Sequence, residues 1–77
     1  MKKLDNSECL CDFGEFIRAQ RERKSMTQTE VADMVGLHQT YYSKIELGKR
    51  EVDLFKAMAI CKALDIDLSD FIKEYME

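Results

Sequence analysis

The 77-residue sequence contains no proline and no tryptophan, and it has only three glycines and one histidine. Proline and glycine mark the turns of β-rich architectures, so their scarcity favours helices. No apolar run approaches the roughly 20 residues that a membrane-spanning helix needs. The first eleven residues, MKKLDNSECLC, include acidic side chains where a signal peptide has its apolar segment. The sequence therefore predicts one helical domain with no membrane segment.

Cysteine is also scarce, and Cys9, Cys11 and Cys61 do not form a convincing disulfide framework. An odd number of cysteines fits a reduced setting, so we expect a cytoplasmic protein. Cys61 follows an apolar helical pattern and is predicted to lie in the core. Cys9 and Cys11 belong either to a weakly ordered terminus or to a metal or redox-sensing site. Neither has the neighbours that would complete four zinc ligands, so we predict no cofactor and no metal.

The groups of a catalytic site are missing as well. The one histidine has no cysteine at a spacing that indicates a nucleophile pair, and no phosphate-binding loop is present. A chain of this length leaves little interior volume for a substrate pocket. The sequence therefore predicts that the protein is not an enzyme.

Acidic residues are in excess, but they are unevenly distributed. The formal net charge is −3, yet residues 1–50 hold nine basic and eight acidic side chains, whereas residues 51–77 hold three basic and seven acidic ones. Local charge on a docking face matters more for phosphate contact than the total does. A nucleic-acid-binding function thus stays compatible with the composition, with the acidic C-terminal third facing away from DNA.

The most informative stretch runs from Thr27 to Arg50 and reads TQTEVADMVGLHQTYYSKIELGKR. Thr27 followed three residues later by Glu30 is a capping box, in which each side chain bonds to the other residue's backbone N–H. Gly36 stands where the first helix must end, because glycine adopts a left-handed cap without steric cost. The stretch predicts two short helices joined by a tight turn.

Each of these two helices has an apolar inner face. Val31, Met34 and Val35 recur at helical spacing on the first helix, and Tyr42 and Ile45 lie three residues apart on the second. The outer face of the second helix carries amide, hydroxyl and ammonium groups, which bind base edges and phosphates. These groups belong to Gln39, Thr40, Ser43 and Lys44.

The sequence resembles the helix-turn-helix of the Cro/cI-type (Xre-like) transcription regulators over roughly residues 13–72. The residues that carry the resemblance are Thr27-Gln28, Val31-Ala32, Gly36, Tyr42-Ser43, Ile45-Glu46 and Gly48-Lys49-Arg50, with Ile17-Arg18 and Arg21 upstream and Ile60, Ala63-Leu64 and Leu68 downstream. The resemblance implies an all-α, compact five-helix, lambda-repressor-like DNA-binding domain in which helices 2 and 3 form the helix-turn-helix. It also implies a structural ion pair between Arg21 and Glu46; the residues alone leave open two independent surface charges.

The resemblance further implies a sequence-specific transcriptional regulator, a repressor or autoregulator, that inserts helix 3 into the major groove of double-stranded DNA. Gln39 can make two hydrogen bonds to adenine, Thr40 can contact a thymine methyl group, and Lys44 can donate to guanine. The other predicted DNA contacts are to phosphates or, for one serine, to a phosphate or a base edge. They belong to Gln28, His38, Tyr41, Ser43, Lys49 and Arg50.

Several of these assignments have a structural alternative. Gln28 could be a solvated residue at a helix start, and His38 is favoured as the N-cap of helix 3. Tyr41 could pack on Leu37, and the two cations that follow helix 3 could belong to a plain solvated loop.

The remaining elements are less distinctive. Residues 1–11 are predicted to be a weakly ordered lead-in and residues 12–77 a single domain, with the first helix running from about Asp12 to Lys24 and Phe13 and Ile17 facing inward. Asp53 is predicted to cap a fourth helix, and Asp67 to open a fifth. The buried stripe of the fourth helix is assigned to Leu54, Ala57, Met58, Cys61 and Leu64.

The fifth helix carries more apolar side chains than a small domain needs at its edge. Leu68 and Ile72 are assigned to the core, whereas Phe71, Tyr75 and Met76 are assigned to a homodimer interface. Phe16 is either a partly exposed packing residue or a contact surface for a partner. A homodimer would place two recognition helices about 34 Å apart on a pseudo-palindromic site.

One other function stays open, because a fold does not fix a function. The same fold could serve as a protein-interaction module, such as an antitoxin or an adaptor, with the acidic C-terminal third binding a protein partner. An adaptor, however, has no need for the polar outer face of helix 3 beside two cations.

Overall fold

The computed structural model describes residues 6–75 of the chain, the first two of them by their backbone alone. The described part forms five helices and no strand: α1 Asn6–Arg23, α2 Gln28–Met34, α3 Gln39–Glu46, α4 Leu54–Ala63 and α5 Leu68–Tyr75. The predicted all-α, five-helix architecture is confirmed. None of the helices in this part of the chain is long and apolar enough to cross a membrane.

Helix α1 begins at Asn6, six residues before the predicted start at Asp12. No proline or glycine interrupts residues 6–13, so the sequence is compatible with additional helical turns. These turns also pack against the core through the half-buried Cys9, which stabilises them. Residues 6–11 are therefore helical, and residues 1–5 of the predicted lead-in lie outside the described residues. The boundary between lead-in and domain at residue 12 stays a prediction.

The core is formed by apolar side chains from all five helices. The predicted inward positions Phe13, Ile17, Val31, Tyr42 and Ile45 are all buried. The other buried apolar residues are Phe16, Ala32, Ala57, Ile60, Cys61, Leu64 and Phe71. The core assignment of Cys61 is thus confirmed, and burial raises the pKa of its thiol to about 11.

Two aromatic assignments were wrong. Phe16, expected at the surface, is 1% exposed, and Phe71, assigned to a homodimer interface, is 5% exposed. The rings of Phe13, Phe16, Phe71 and Tyr75 pack between α1 and α5, with centroids 5.4–5.9 Å apart and two edge-to-face pairs. Aromatic pairs of this kind bury a large area in a favourable geometry. The aromatic residues of α5 therefore fix that helix against α1, and Met76 lies outside the described residues.

Four apolar side chains predicted to face the core are instead exposed: Met34, Leu54, Met58 and Ile72, each at least 50% exposed. On α4 the buried face follows Ala57, Ile60 and Cys61, and Leu54 and Met58 lie at its exposed edge. On α5 the core position is taken by Phe71, which turns its neighbour Ile72 outward. On α4, where apolar residues lie on almost every side, periodicity allows more than one face to be taken as the inner one.

Gly14 lets α1 approach α3 closely. A Cβ atom at this position would lie 2.3 Å from the Glu46 carbonyl oxygen and 2.5 Å from that of Ile45, which is far inside van der Waals contact. The backbone of α1 is thus packed directly on the end of α3. This contact, together with the buried Tyr42 and Ile45, fixes the orientation of α3 relative to the core.

Candidate nucleic-acid interface

Helices α2 and α3 are joined by a four-residue turn with a defined geometry. The capping box at the start of α2 is confirmed: Thr27 N donates to Glu30 Oε1 at 2.8 Å, and Glu30 N donates to Thr27 Oγ1 at 3.0 Å. At its end, Gly36 adopts φ +71°, and the Leu37 N–H donates to the Ala32 carbonyl at 2.9 Å. This is the pattern of a left-handed glycine cap followed by an apolar residue. The turn directs the chain into α3.

His38 is the N-cap of α3. Its Nδ1 accepts a hydrogen bond from the Thr40 N–H at 3.2 Å, which confirms the capping role that the sequence favoured. The cap occupies one ring nitrogen and leaves the exposed edge of the imidazole free for a contact with DNA. The structural role of His38 is therefore to cap the N-terminus of α3.

The predicted DNA-contacting residues fall into two groups by exposure. His38, Gln39, Thr40, Lys44, Lys49 and Arg50 are exposed, whereas Gln28, Tyr41 and Ser43 are half-buried. The exposed group lies on the N-cap of α3, on α3 itself and on the loop that follows it, while the inner face of α3 is covered by the core. We call the exposed side chains of this set the reading surface.

Arg21 and Glu46 form an ion pair behind this surface. Arg21 Nε lies 2.7 Å from Glu46 Oε2, and Arg21 Nη2 donates to Glu46 Oε1 at 3.1 Å. The side chains are 11% and 1% exposed. Arg21 Nη1 donates in addition to the Met26 carbonyl oxygen at 2.8 Å. The hydrogen bonds to Glu46 raise the pKa of the Arg21 guanidinium, so this arginine is committed to the fold.

Gln28 and Gln39 connect the ion pair to the reading surface, a connection that the sequence prediction missed. Gln28 Nε2 donates to Glu46 Oε1 at 2.9 Å, and Gln39 Nε2 donates to Gln28 Oε1 at 2.9 Å. A sequence signal was available in part: Gln28 follows the N-cap Thr27, and Gln39 follows the N-cap His38, so both occupy the first turn of their helices. The spacing does not reveal that the two first turns meet.

The loop after α3 is attached to the surface by Tyr41. The guanidinium carbon of Arg50 lies 5.0 Å from the Tyr41 ring centroid, and Lys56 Nζ lies 5.9 Å from it. The Tyr41 hydroxyl is 3.4 Å from the Glu51 carbonyl oxygen, to which it donates. Cations within about 6 Å of an aromatic face are attracted by its quadrupole. Tyr41 therefore holds Arg50 beside α3, and Lys56 is a nearby cation that the sequence prediction did not include.

Four basic residues, Arg18, Arg21, Arg23 and Lys24, lie in the last turns of α1 and directly after it, but two of them bind within the domain. Arg21 is paired with Glu46, and Lys24 donates to the Leu64 carbonyl oxygen at the end of α4. The positive charge beside α3 comes instead from Lys44, Lys49 and Arg50, which are all exposed.

This combination of a capped α2, a glycine turn and an exposed polar α3 with flanking cations defines a helix-turn-helix DNA-binding protein. Comparison with known proteins agrees: the helix-turn-helix family model matches residues 17–71. The chain belongs to this family, the Cro/cI-type (Xre-like) helix-turn-helix transcriptional regulators.

Two curated relatives are similar over most of the chain. The control protein C.BamHI of Bacillus amyloliquefaciens is 44% identical over 63 residues, covering 77% of this chain and 78% of that protein. The uncharacterized HTH-type transcriptional regulator YqaE of Bacillus subtilis (strain 168) is 34% identical over 61 residues, covering 79% of this chain. The chain spans about half the length of YqaE, 53%.

A solved structure extends the comparison to DNA. The restriction-modification controller protein C.Esp1396I, a tetramer in complex with its natural 35-base-pair operator, matches with a TM-score of 0.76 and 29% identity. The match covers 84% of this chain and 86% of that chain. The match to the family by sequence and the match to this structure therefore agree.

Proposed function

We propose that the protein is a sequence-specific transcriptional regulator that binds a pseudo-palindromic operator as a homodimer, with α3 in the major groove. The observation that carries the proposal is the exposed polar face of α3 beside Lys49 and Arg50, on a helix whose other face is fixed to the core. The operator complex of C.Esp1396I supports it, as does the assembly of that relative into a tetramer. We propose further that the protein has no catalytic role and that it is located in the cytoplasm.

The contacts divide between base reading and phosphate binding. Gln39, Thr40 and Lys44 project from the exposed side of α3 and are assigned to base edges. Arg50, held over the Tyr41 ring, and Lys49 are assigned to phosphates. Phosphate contacts position the helix and base contacts select the sequence, so the two sets have different consequences for specificity.

The exposed apolar side chains suggest a different homodimer surface from the one that the sequence predicted. Leu54, Phe55 and Met58 are 59%, 78% and 50% exposed and lie within one turn of α4. Met58 and Leu68 line a common depression between α4 and α5, and Ile72 follows Leu68 by one turn. We call these five residues the apolar strip. Large exposed apolar areas mark interfaces, and a second copy of the chain is the proposed occupant.

Control of a restriction-modification gene set is the more specific role that the relatives suggest. C.BamHI is described as a control protein and C.Esp1396I as a restriction-modification controller. Both match this chain over more than three quarters of its length. We propose the same role here, with an operator near the regulated genes.

Selection of binding sites from random duplex DNA tests the regulator proposal. Wild type is expected to enrich a two-fold-symmetric site, and Gln39→Ala is expected to lose one base preference in each half while keeping the rest. Thr29→Ala, a change at an exposed position of α2 outside the proposed contacts, is the matched control and should enrich the wild-type site. Failure of folded wild type to enrich any site at low salt would exclude the proposal in favour of a protein-interaction module.

A further inference from the structure

Phe55 is the most exposed of the large apolar side chains in the part of the chain that the structure describes. It is 78% exposed, compared with 59% for Leu54 and 50% for Met58 on the same helix. The contacts between aromatic rings in this part of the chain all lie within and between α1 and α5, so no other ring covers it. An aromatic side chain buries about 150–250 Å² when it is covered. Phe55 therefore contributes little to the fold of one copy and offers a large apolar area to a partner.

An open depression of about 620 Å³ lies between α4 and α5. The apolar residues that line it are Met58, Cys61, Ile66 and Leu68. The charged residues that line it are all exposed and are Lys62, Asp65, Asp67 and Asp70. An apolar surface bordered by charged groups has the composition of the centre and rim of a protein–protein interface.

Phe55 and this depression lie along the same side of α4. Phe55, Met58 and Lys62 follow one another at intervals of three and four residues, which places them in one row on the helix. Phe55 is in the first turn of α4 and Lys62 in the last, about 10 Å apart along the helix axis. Phe55 does not line the depression of its own chain. The ring and the depression are thus separate features of one surface.

A two-fold axis through the middle of α4 brings the ring of one copy to the depression of the other. The two α4 helices are then antiparallel, and the first turn of one lies beside the last turn of its partner. Every contact of such an interface occurs twice, because both copies use the same surface. Ala59, which is exposed halfway between Phe55 and Lys62, is small enough for the two helices to approach closely. The depression is also continuous with the apolar strip, since Met58 and Leu68 belong to both.

We propose that the Phe55 ring of each copy inserts into the depression between α4 and α5 of the other copy, beside Lys62. The proposal rests on the homodimer of the proposed function, and it names the side chain that anchors the interface and the surface that receives it. The negative face of an aromatic ring attracts an ammonium group, and its positive edge suits carboxylates. The charged residues around the depression therefore match the charge distribution of the inserted ring.

Sedimentation equilibrium of Phe55→Ala tests the contribution of the ring. The dissociation constant of the homodimer is expected to rise by about a hundredfold or more, because two rings are lost and each counts for about tenfold or more. Leu47→Ala, at a 54% exposed position outside the apolar strip, is the matched control and should keep the wild-type constant. A wild-type constant in the folded Phe55→Ala variant would overturn the proposal.

Disulfide formation between single cysteines tests which positions of the two copies meet. The background carries Cys9→Ser, Cys11→Ser and Cys61→Ala, and circular dichroism checks its fold. Phe55→Cys and Lys62→Cys are prepared separately in this background, mixed, and oxidised at a concentration above the dissociation constant of the homodimer. The mixture is expected to form disulfide-linked pairs of chains, whereas neither protein forms them alone.

Arg23→Cys provides the control, because Arg23 is an exposed residue of α1 outside the apolar strip. Its mixture with Phe55→Cys should give no linked pair. A link formed by Phe55→Cys alone would mean that the two Phe55 side chains meet at the two-fold axis, and this would overturn the proposal. A folded homodimer without a link in the mixture with Lys62→Cys would overturn it as well.

These outcomes are distinct from a failure of the proposed homodimer, in which wild type itself would sediment as a monomer. That result would refute the homodimer and, with it, the insertion of Phe55 into a second copy. If the background without cysteines does not fold, the Phe55→Ala measurement still decides, because it changes only an exposed side chain.

Discussion

Ser25, two residues after the end of α1, has a backbone φ of +56°, in the left-handed region that favours glycine. A residue with a side chain is strained in this region by roughly 1–2 kcal/mol. Ser25→Gly is therefore expected to raise the free energy of unfolding by about 1 kcal/mol, after allowance for the greater flexibility of glycine in the unfolded chain. Urea unfolding followed by circular dichroism measures the change.

Gly36 is the matched control for this prediction. Its φ is +71°, and a Cβ atom there would meet nothing within 4 Å, so only the backbone conformation opposes a side chain. Gly36→Ala should lower the free energy of unfolding by about 1 kcal/mol. A Ser25→Gly variant less stable than wild type would contradict the strain assigned to position 25.

Asp53 caps α4 through its carboxylate, as the sequence predicted. Its Oδ1 accepts from the Lys56 N–H at 2.8 Å, and this bond lowers the pKa of the Asp53 carboxyl below its usual value. A lowered folded-state pKa adds stability above the unfolded pKa, and this stability is lost as the pH falls through the folded value. We expect Asp53→Ala to be less stable than wild type at neutral pH, with a difference that shrinks in acid.

Asp53→Asn removes the negative charge but keeps a side-chain oxygen that can cap the helix, so it separates the two contributions. Asparagine is also a good N-cap residue, so this variant should lose less stability than Asp53→Ala at neutral pH. Thermal unfolding from neutral pH down to the acid range follows both differences. A wild-type advantage over Asp53→Ala that grows toward acid would contradict the assignment.

Much at the residue scale could be predicted from local patterns. The Thr27–Glu30 capping box and the Asp53 cap involve neighbours in sequence, and the structure confirms them. The contact between Gln28 and Glu46 joins residues 18 positions apart, and no local pattern encodes it. Long-range hydrogen bonds between side chains depend on how helices pack, and this is why the connection was missed.

At the scale of elements, the position of α3 depends on its contact with α1 at Gly14. An added Cβ atom would lie 2.3 Å from the Glu46 carbonyl oxygen, and that backbone atom cannot move without moving α3. Gly14→Ala is expected to lower the free energy of unfolding by about 3 kcal/mol, the upper range for overpacking. Chemical denaturation measures it.

The neighbouring exposed position Glu15 gives the control for Gly14→Ala. Glu15→Ala lies on the same helix but faces solvent, so its effect should stay within about 0.5 kcal/mol. A Gly14→Ala variant as stable as wild type would mean that α1 and α3 do not approach as closely as described. Any loss of stability should be accompanied by weaker DNA binding, because the same contact orients α3.

The helices themselves were predictable, but their buried faces were not always. Tyr42 and Ile45 on α3 have a clear polar opposite face, so their inward orientation follows from periodicity. Helix α4 is apolar almost all round, and Leu54 and Met58, which were assigned to the buried face, are exposed. On α5 the exchange of Phe71 and Ile72 reflects the aromatic packing of Phe71 against Phe13 and Phe16, which periodicity does not contain.

At the scale of the whole molecule, the apolar strip of α4 and α5 predicts how two copies associate. Phe55 is 78% exposed and Met58 50% exposed, and burial of such side chains contributes about 1.5–3 kcal/mol each. Phe55→Glu and Met58→Glu are each expected to convert the homodimer to a monomer in sedimentation equilibrium. The fold should stay intact because neither side chain contributes to the core.

Leu47→Glu is the control, since Leu47 is 54% exposed but ends α3, outside the apolar strip. It should sediment as a homodimer. Monomeric variants of the strip should also lose most of their affinity for the symmetric site, because a single copy makes too few contacts for typical specific binding. Homodimers in both strip variants would place the interface elsewhere.

Dimethyl sulfate protection tests most directly whether two α3 helices enter the major groove on one face of a symmetric site. This reagent methylates guanine N7 in the major groove and adenine N3 in the minor groove. On the selected site, bound protein is predicted to protect guanine N7 in two clusters about one helical turn apart, while adenine N3 stays reactive. Protection of adenine N3 alone, or of a single cluster, would contradict the account.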